Sequence, residues 1–366
     1  MIGEPGPRQP FSPSDNDPVV APQPRPTLLT SWRLWLGVLL SVLCLALAAL
    51  NVDYQELWQT LRSASGWWAG LTAASVLVTG VAKAWRWQLL LAPSTPSPRL
   101  HLPRLSSIWL AGTGVNLALP VPRAGDLLRI YLTGEAGQVS KSLVLGTLAA
   151  EKLLDAVFLA LCFLALLILM ALPQEVAQQQ VSTMGVATAM VAAAVLLLWQ
   201  RARVVSWTGR IVRFLPFGSR VTDSLERGVE GLTALRQPNR LLGLVLVTAA
   251  IWFLSVLTNY WCFLALHMPA SWVQSLFVFV VLQVGVALPS TPGKFGVFPL
   301  LCRWALGVFG VASAAGLAYG ILLYGLAPVL LMICGALCLV IEGWRLGKLP
   351  TQVGAAAARG SDAGAL

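Results

Sequence analysis

Residues 112–155 read GTGVNLALPVPRAGDLLRIYLTGEAGQVSKSLVLGTLAAEKLLD. The stretch begins as an apolar segment too short to cross a bilayer and breaks at Pro120 and Pro122. It then passes through Arg123, Asp126 and Arg129 and re-enters a long apolar run that carries Glu151, Lys152 and Asp155. An ionisable side chain near the bilayer centre costs at least about 2.5 to 3.5 kcal/mol on insertion scales, so such groups face a cavity or a partner. Charges set inside membrane-length hydrophobic sequence are the main functional signal in this chain.

The surroundings set the class. Of 366 residues, 57% are hydrophobic and only 11% are charged, and the mean hydropathy is +0.74. A soluble domain of this size needs more charged surface, so the composition is that of a multi-pass membrane protein. The formal charge of +10 reads as loop charge facing the cytoplasm. No basic run interleaved with aromatics points to nucleic acid, and none is expected as a partner. All six cysteines fall in apolar runs without the paired spacing of a zinc site, and they read as small packing residues. No metal and no cofactor is expected.

Residues 1–30 hold eight prolines and little hydrophobicity, a composition that supports no packed core, and 346–366 are similar. Between these two tails, the transmembrane region is placed at 31–345. Six runs are long enough, at about 20 residues, to cross a hydrocarbon layer of about 30 Å: 34–50, 67–91, 143–172, 181–199, 241–266 and 311–341. Two others, 105–119 and 272–288, are shorter and broken. Arg25 and Arg33, Arg99 and Arg104, the eight arginines between Arg201 and Arg240, and Arg345 with Lys348 all fall on one side if the short segments enter and leave on the same side. The positive-inside rule makes that side cytoplasmic, together with both termini. The short segments are then re-entrant hairpins, and non-helical backbone at membrane depth requires protein or a wet cavity around it.

The hairpins are related. Val115-Asn-Leu-Ala-Leu-Pro120 matches Val284-Gly-Val-Ala-Leu-Pro289 at an offset of 169 residues, and each is followed by a cluster of Pro and Gly. The same offset carries 67–91 onto 241–266 and 143–172 onto 311–341, with opposite directions through the membrane. The expected fold is therefore all-α: a polytopic bundle of six spans and two re-entrant hairpins in an inverted-topology repeat, 67–172 against 241–343. Many transporters use this arrangement to place a site at the midplane. Pro120, Pro122, Gly125, Pro289, Pro292, Gly293 and Gly296 are the hairpin-tip residues. The linker 200–240 carries Trp207, Ile211, Phe214 and Leu215 on one helical face, the pattern of a helix lying in the membrane interface.

Glu151 and Asp155, four residues apart, share a helix face, with Lys152 about 100° away from Glu151. Charge at their depth asks for a partner, and Arg123, Arg129 and Lys294 are the cations on the hairpins. Lys83 and Arg86, near the end of their helix among tryptophans, read as snorkelling anchors. Gly66-xxx-Gly70 and Gly316-xxx-Gly320 permit close helix approach. No nucleophile elbow, His-containing metal cluster or Walker loop is present, so the protein is not expected to be an enzyme.

At these residues the sequence resembles the transmembrane flippase-type domain of lysylphosphatidylglycerol synthases and related proteins that consist of that domain alone. The signatures are Asn116-Leu-Ala-Leu-Pro-Val-Pro-Arg-Ala-Gly-Asp-Leu-Leu-Arg129, Glu151-Lys-Leu-Leu-Asp155 and Pro289-Ser-Thr-Pro-Gly-Lys-Phe-Gly296. The chain departs from the family pattern at Asp126, where Glu is usual, at Lys152, where Arg is usual, and at Lys294, commonly Gly. The resemblance implies movement of a lipid or lipid-linked molecule between leaflets of the plasma or inner membrane. The substrate-binding set is then Asn116, Arg123, Asp126, Arg129, Glu151, Lys152, Asp155 and Lys294. The expected ligand is a membrane lipid with an anionic or phosphate-bearing headgroup, with a second copy or a membrane enzyme left open as partner. Two other readings are a scaffold that assists a lipid- or polymer-modifying enzyme, and a transferase that uses a lipid-linked donor.

Overall fold

The structure, a computed structural model, describes residues 32–91, 100–119, 123–170, 237–287, 295–343 and 345. Ten helices occur among them, and no strand. In chain order they are α1 (Trp32–Ala49), α2 (Tyr54–Arg62), α3 (Gly66–Leu91), α4 (Leu102–Ala118), α5 (Ala124–Gly137), α6 (Lys141–Leu169), α7 (Pro238–Ala265), α8 (Trp272–Ala287), α9 (Val297–Gly307) and α10 (Ser313–Gly343).

Three of them, α6, α7 and α10, are long and apolar enough to cross a membrane unaided. The 26 residues of α3 reach about 39 Å, which is also span length. Its sequence is less apolar because Thr72, Ser75, Thr79 and Arg86 turn inward and are buried. The outer surface is the opposite of a soluble protein's: Ile168, Leu246 and Leu337 are each more than half exposed, as lipid-facing side chains should be. The chain forms a polytopic helical membrane bundle. Five of the six expected spans coincide with helices, and the sixth, 181–199, lies outside the described residues, as do the tail 1–30, nearly all of the linker 200–240, and 346–366.

Each half builds its own core. Trp87, Leu105, Ile108, Leu132 and Val144 pack together from α3, α4, α5 and α6. Phe263, Val278, Cys302, Leu306 and Tyr319 do the same from α7, α8, α9 and α10. A third cluster joins the halves, with Leu166 of α6 against Ile251 and Trp252 of α7 and Phe279 of α8. Displacing Leu102–Ala118 by 169 residues gives 271–287, and the observed α8 is Trp272–Ala287. The order of long and short helices is the same in both halves, and α8 falls within one residue of that offset. The cysteines are all free, with Cys262 and Cys302 buried in the second core, which fits their reading as packing residues.

Each short segment is followed by a second helix, α5 after α4 and α9 after α8, with the expected breaks at Pro120, Pro122 and Pro289 outside the described residues. Hairpin one pairs α4 with α5, and Gly112 and Gly125 let the two backbones meet. A β-carbon on Gly112 would lie 2.5 Å from Arg129 Cγ and 2.8 Å from Gly125 O, and one on Gly125 would collide with Gly112 O. Hairpin two pairs α8 with α9. There Gly296 is pressed against the Ser41 carbonyl of α1, and Arg303 of α9 donates to the Leu47 and Ala48 carbonyls at 2.9 and 2.8 Å. These bonds satisfy two of the carbonyls that every helix leaves open at its C-terminus. Pro120, Pro122, Pro289, Pro292, Gly293 and Lys294 lie outside the described residues.

Two further differences have local causes. The segment between α1 and α3, to which the sequence reading assigns no element, contains α2. Asp53 caps it by accepting from Gln55 N at 2.8 Å and Glu56 N at 3.1 Å. In α10 the run Gly325–Val329 is a π-turn containing Pro328, because Pro lacks the amide hydrogen that an α-turn needs and the wider turn absorbs the gap. Of the glycine pairs, Gly316 and Gly320 do let α10 approach α9: a β-carbon on Gly316 would lie 3.3 Å from Arg303 Cα and one on Gly320 2.9 Å from Pro299 Cα. A β-carbon on Gly66 or Gly70 would meet nothing within 4 Å among the described residues.

Candidate functional site

Four charged side chains meet where α3, α5 and α6 converge. Glu151 and Asp155 do share a face of α6, but their cations divide differently from expectation. Arg129 of α5 donates to Glu151 Oε2 at 2.9 Å, as foreseen. Asp155, expected to pair with Arg123 or Arg129, is instead held by Arg86 of α3: Nη1 lies 2.7 Å from Oδ1 and Nη2 3.2 Å from Oδ2. Arg86 Nη2 also reaches Glu151 Oε1 at 3.5 Å. Two guanidiniums thus face two carboxylates, and the pairing through Asp155 is bidentate, the geometry in which Arg binds carboxylate best.

Arg86 was read as a snorkelling anchor, and that reading is corrected. It is fully buried, because the carboxylates of α6 and the Thr248 hydroxyl of α7, 3.4 Å away, replace its water. The signal available was depth: Arg86 precedes the end of α3 by five residues, or about 7.5 Å, which is far for a side chain that must reach water. Trp87, next to it, packs beneath the Arg129 guanidinium at 4.2 Å and donates Nε1 to Thr147 Oγ1 at 3.1 Å. The cluster is therefore stacked as well as paired. Arg86 Nε and Arg129 Nε find no hydrogen-bond acceptor among the described residues. Glu151 and Arg129 are each 3% exposed, whereas the Asp155 side chain retains 28%, so the cluster opens at Asp155.

Other expected site residues have different places. Asn116 clasps the hairpin: its Oδ1 accepts from Gly125 N at 2.8 Å and its Nδ2 donates to Asp126 Oδ1 at 3.2 Å. It thereby caps, from α4, one of the free amides at the start of α5. Asp126 also lies 4.0 Å from Arg129, in the first turn of α5, where the helix dipole favours an anion. Arg123 is exposed and holds φ = +61° at the start of α5; it makes no ion pair with the described carboxylates. Lys152 is exposed as well, as its angle from Glu151 requires. Asn116, Asp126, Arg129, Glu151 and Asp155, with Arg86 added, form one continuous assembly. Arg123 and Lys152 lie outside it.

A cavity of about 180 Å³ adjoins this assembly, between helices of both halves. Thr79, Gly80 and Lys83 of α3 and Trp109 of α4 form one wall. Ser255, Thr258 and Asn259 of α7 form a second, and Phe279, Gln283, Phe298 and Ala327 come from α8, α9 and α10. None of the seven described residues expected to bind substrate is on its lining, and the eighth, Lys294, lies outside the described residues. Sequence reasoning missed the cavity because, Lys83 apart, its polar groups are single uncharged residues on α3, α7 and α8. These become neighbours only through packing, as in the 2.7 Å bond between Ser75 and Thr258.

Among the described residues no cluster of His, Cys, Asp or Glu could hold a metal ion. Comparison with known proteins matches residues 34–336 to the family described as "Lysylphosphatidylglycerol synthase TM region". No curated protein matches the chain. The family match covers most of the sequence, and the chain belongs to that family.

Proposed function

We propose that this member of the lysylphosphatidylglycerol synthase transmembrane-region family moves a lipid, or a lipid-linked intermediate, between the two leaflets of a cell membrane. It is an integral membrane protein of a family tied to lipid modification or flipping. The observation that carries the finer reading is the cavity bounded by helices of both halves beside a buried four-charge cluster. A headgroup crossing the apolar layer needs a polar place to rest, and a protein serving only as a scaffold has no use for one. The shared order of long and short helices supports the same mechanism, with the halves inserted in opposite directions and both termini in the cytoplasm. On this reading the protein performs no covalent chemistry, uses no cofactor, and takes a lipid with an anionic or phosphate-bearing headgroup.

The test is reconstitution of the purified chain into liposomes that carry labelled anionic, zwitterionic, cationic or polyprenyl-phosphate lipid, with leaflet accessibility followed over time. Exchange of at least one class faster than in protein-free vesicles is the expected result. Exchange of none would refute translocation, and chemical conversion of the lipid by the purified protein would replace it with a transferase.

A further inference from the structure

Lys83 lines the cavity and is the one ionisable side chain on that lining among the described residues. It lies eight residues, or about 12 Å, from the end of α3. Every described carboxylate in this region is already engaged. Both oxygens of Asp155 take Arg86, and those of Glu151 face Arg129 and Arg86. What Lys83 Nζ does have is the face of Trp109, 5.7 Å from the ring centroid, and Gly80 makes room for that ring: a β-carbon there would stand 3.0 Å from it. A ring face offsets only part of the cost of a desolvated ammonium.

One turn before Lys83, on the same face of α3, Thr79 also lines the cavity. Thr79 is 9% exposed, and its Oγ1 has no hydrogen-bond partner among the described residues. The neighbouring polar groups of α7 are occupied, Thr258 by Ser75 and by the Leu254 carbonyl, Asn259 by Tyr319 and the Ser255 carbonyl. A cation with no carboxylate of its own and an unused hydroxyl thus belong to two residues that line one small space. The π-turn of α10 borders it through Ala327, and such turns often occur at functional sites.

We infer that Lys83 and Thr79 form a binding site for a single phosphate group carried by a lipid, with the ammonium and the hydroxyl both donating to phosphate oxygens. The cavity accommodates a headgroup and excludes acyl chains. Gln283 and Val284 of α8 are exposed, so chains can lie along the apolar outer surface while the phosphate enters beside Gln283. This deepens the translocase reading, on which it rests for the lipid as the source of the phosphate.

The experiment measures binding of dioctanoyl phosphatidic acid, dioctanoyl phosphatidylcholine and inorganic phosphate to the full chain in detergent. Wild type is compared with K83Q, K83R and T79V, and size-exclusion profiles check folding. Phosphatidic acid should bind wild type at least about tenfold more tightly than either other probe. K83Q should lose about tenfold or more of that affinity, K83R should stay within about threefold, and T79V should lose a few-fold, as expected for charge-assisted and neutral hydrogen bonds. Unchanged phosphatidic acid affinity in K83Q overturns the site, and if K83Q does not fold, unchanged affinity in T79V does so. Equal affinity for inorganic phosphate overturns the lipid assignment. Leaflet exchange separates the two proposals. Lys83-dependent binding without exchange leaves the site standing and sinks translocation, whereas wild-type exchange of phosphatidic acid by K83Q sinks the site and leaves translocation.

Discussion

Glu151 is the member of the buried cluster whose neutralisation should cost most. Glu151→Gln keeps the shape and one acceptor oxygen, but leaves Arg86 and Arg129 against the single charge of Asp155. The distances decide which guanidinium suffers. Arg86 keeps its two bonds to Asp155 at 2.7 and 3.2 Å, while Arg129 loses its 2.9 Å partner and is left with Asp126 at 4.0 Å and the ring of Trp87. Removing one partner of a buried pair costs about 3 to 5 kcal/mol, a large share of the roughly 5 to 15 kcal/mol that holds a folded protein together. Arg129→Gln should cost a similar amount. The double variant restores charge balance with the Arg86–Asp155 pair intact, so its loss should fall short of the sum of the single losses by roughly 2 to 3 kcal/mol, a coupling typical of contacting groups. The assay is reversible unfolding in mixed micelles for the wild type, both single variants and the double, with leaflet exchange measured alongside. If the network is structural only, the double variant recovers both stability and exchange; if a guanidinium receives lipid, it recovers stability alone. Additive losses, or a Glu151→Gln protein as stable as wild type, would show that the pair does not couple as its geometry requires.

Other expectations follow from single contacts. Arg86→Lys should cost about 1 to 3 kcal/mol, because an ammonium cannot reproduce the two bonds to Asp155 and leaves Glu151 further underpaired; a melting temperature equal to wild type would contradict it. Gly125→Val should prevent α5 from closing on α4, since even a β-carbon there collides with Gly112 O, and the readout is loss of a monodisperse detergent peak. Arg123→Gly relieves a left-handed residue of a cost near 1 kcal/mol while giving up some chain stiffness, so stability should hold or rise slightly. A fall in exchange with stability intact would then assign Arg123 to the substrate. Single cysteines replacing Glu135 and Ala270 test the opposed insertion of the halves: labelling of Glu135→Cys only from the cytoplasm and Ala270→Cys only from outside is expected, and the same sidedness for both would sink the inverted arrangement.

Hydropathy, period and local chemistry are one-dimensional properties, and what depends on them was readable along the chain. The membrane class follows from apolar runs matched to bilayer thickness, and the shared face of Glu151 and Asp155 from the 3.6-residue turn. The family emerged from the Asn116 to Arg129 and Glu151 to Asp155 blocks, and membership now stands on residues 34–336. Partnership is different, because a buried charge chooses among every ion that packing brings near, whatever the distance in sequence. Arg86 joins Asp155 across 69 residues, and only the crossing of α3 and α6 makes that bond shorter than a path to water. Trp87 beneath Arg129 and the clasp of Asn116 on Gly125 come from the same crossings. The cavity depends still more on assembly: its walls are contributed by six helices, and apart from Lys83 its polar groups are ordinary threonine, serine, asparagine and glutamine residues whose sequence carries no sign that they line one space. Lys83 looked like an interfacial anchor beside its tryptophans, and only the packing of Trp109 over Gly80 shows it turned inward.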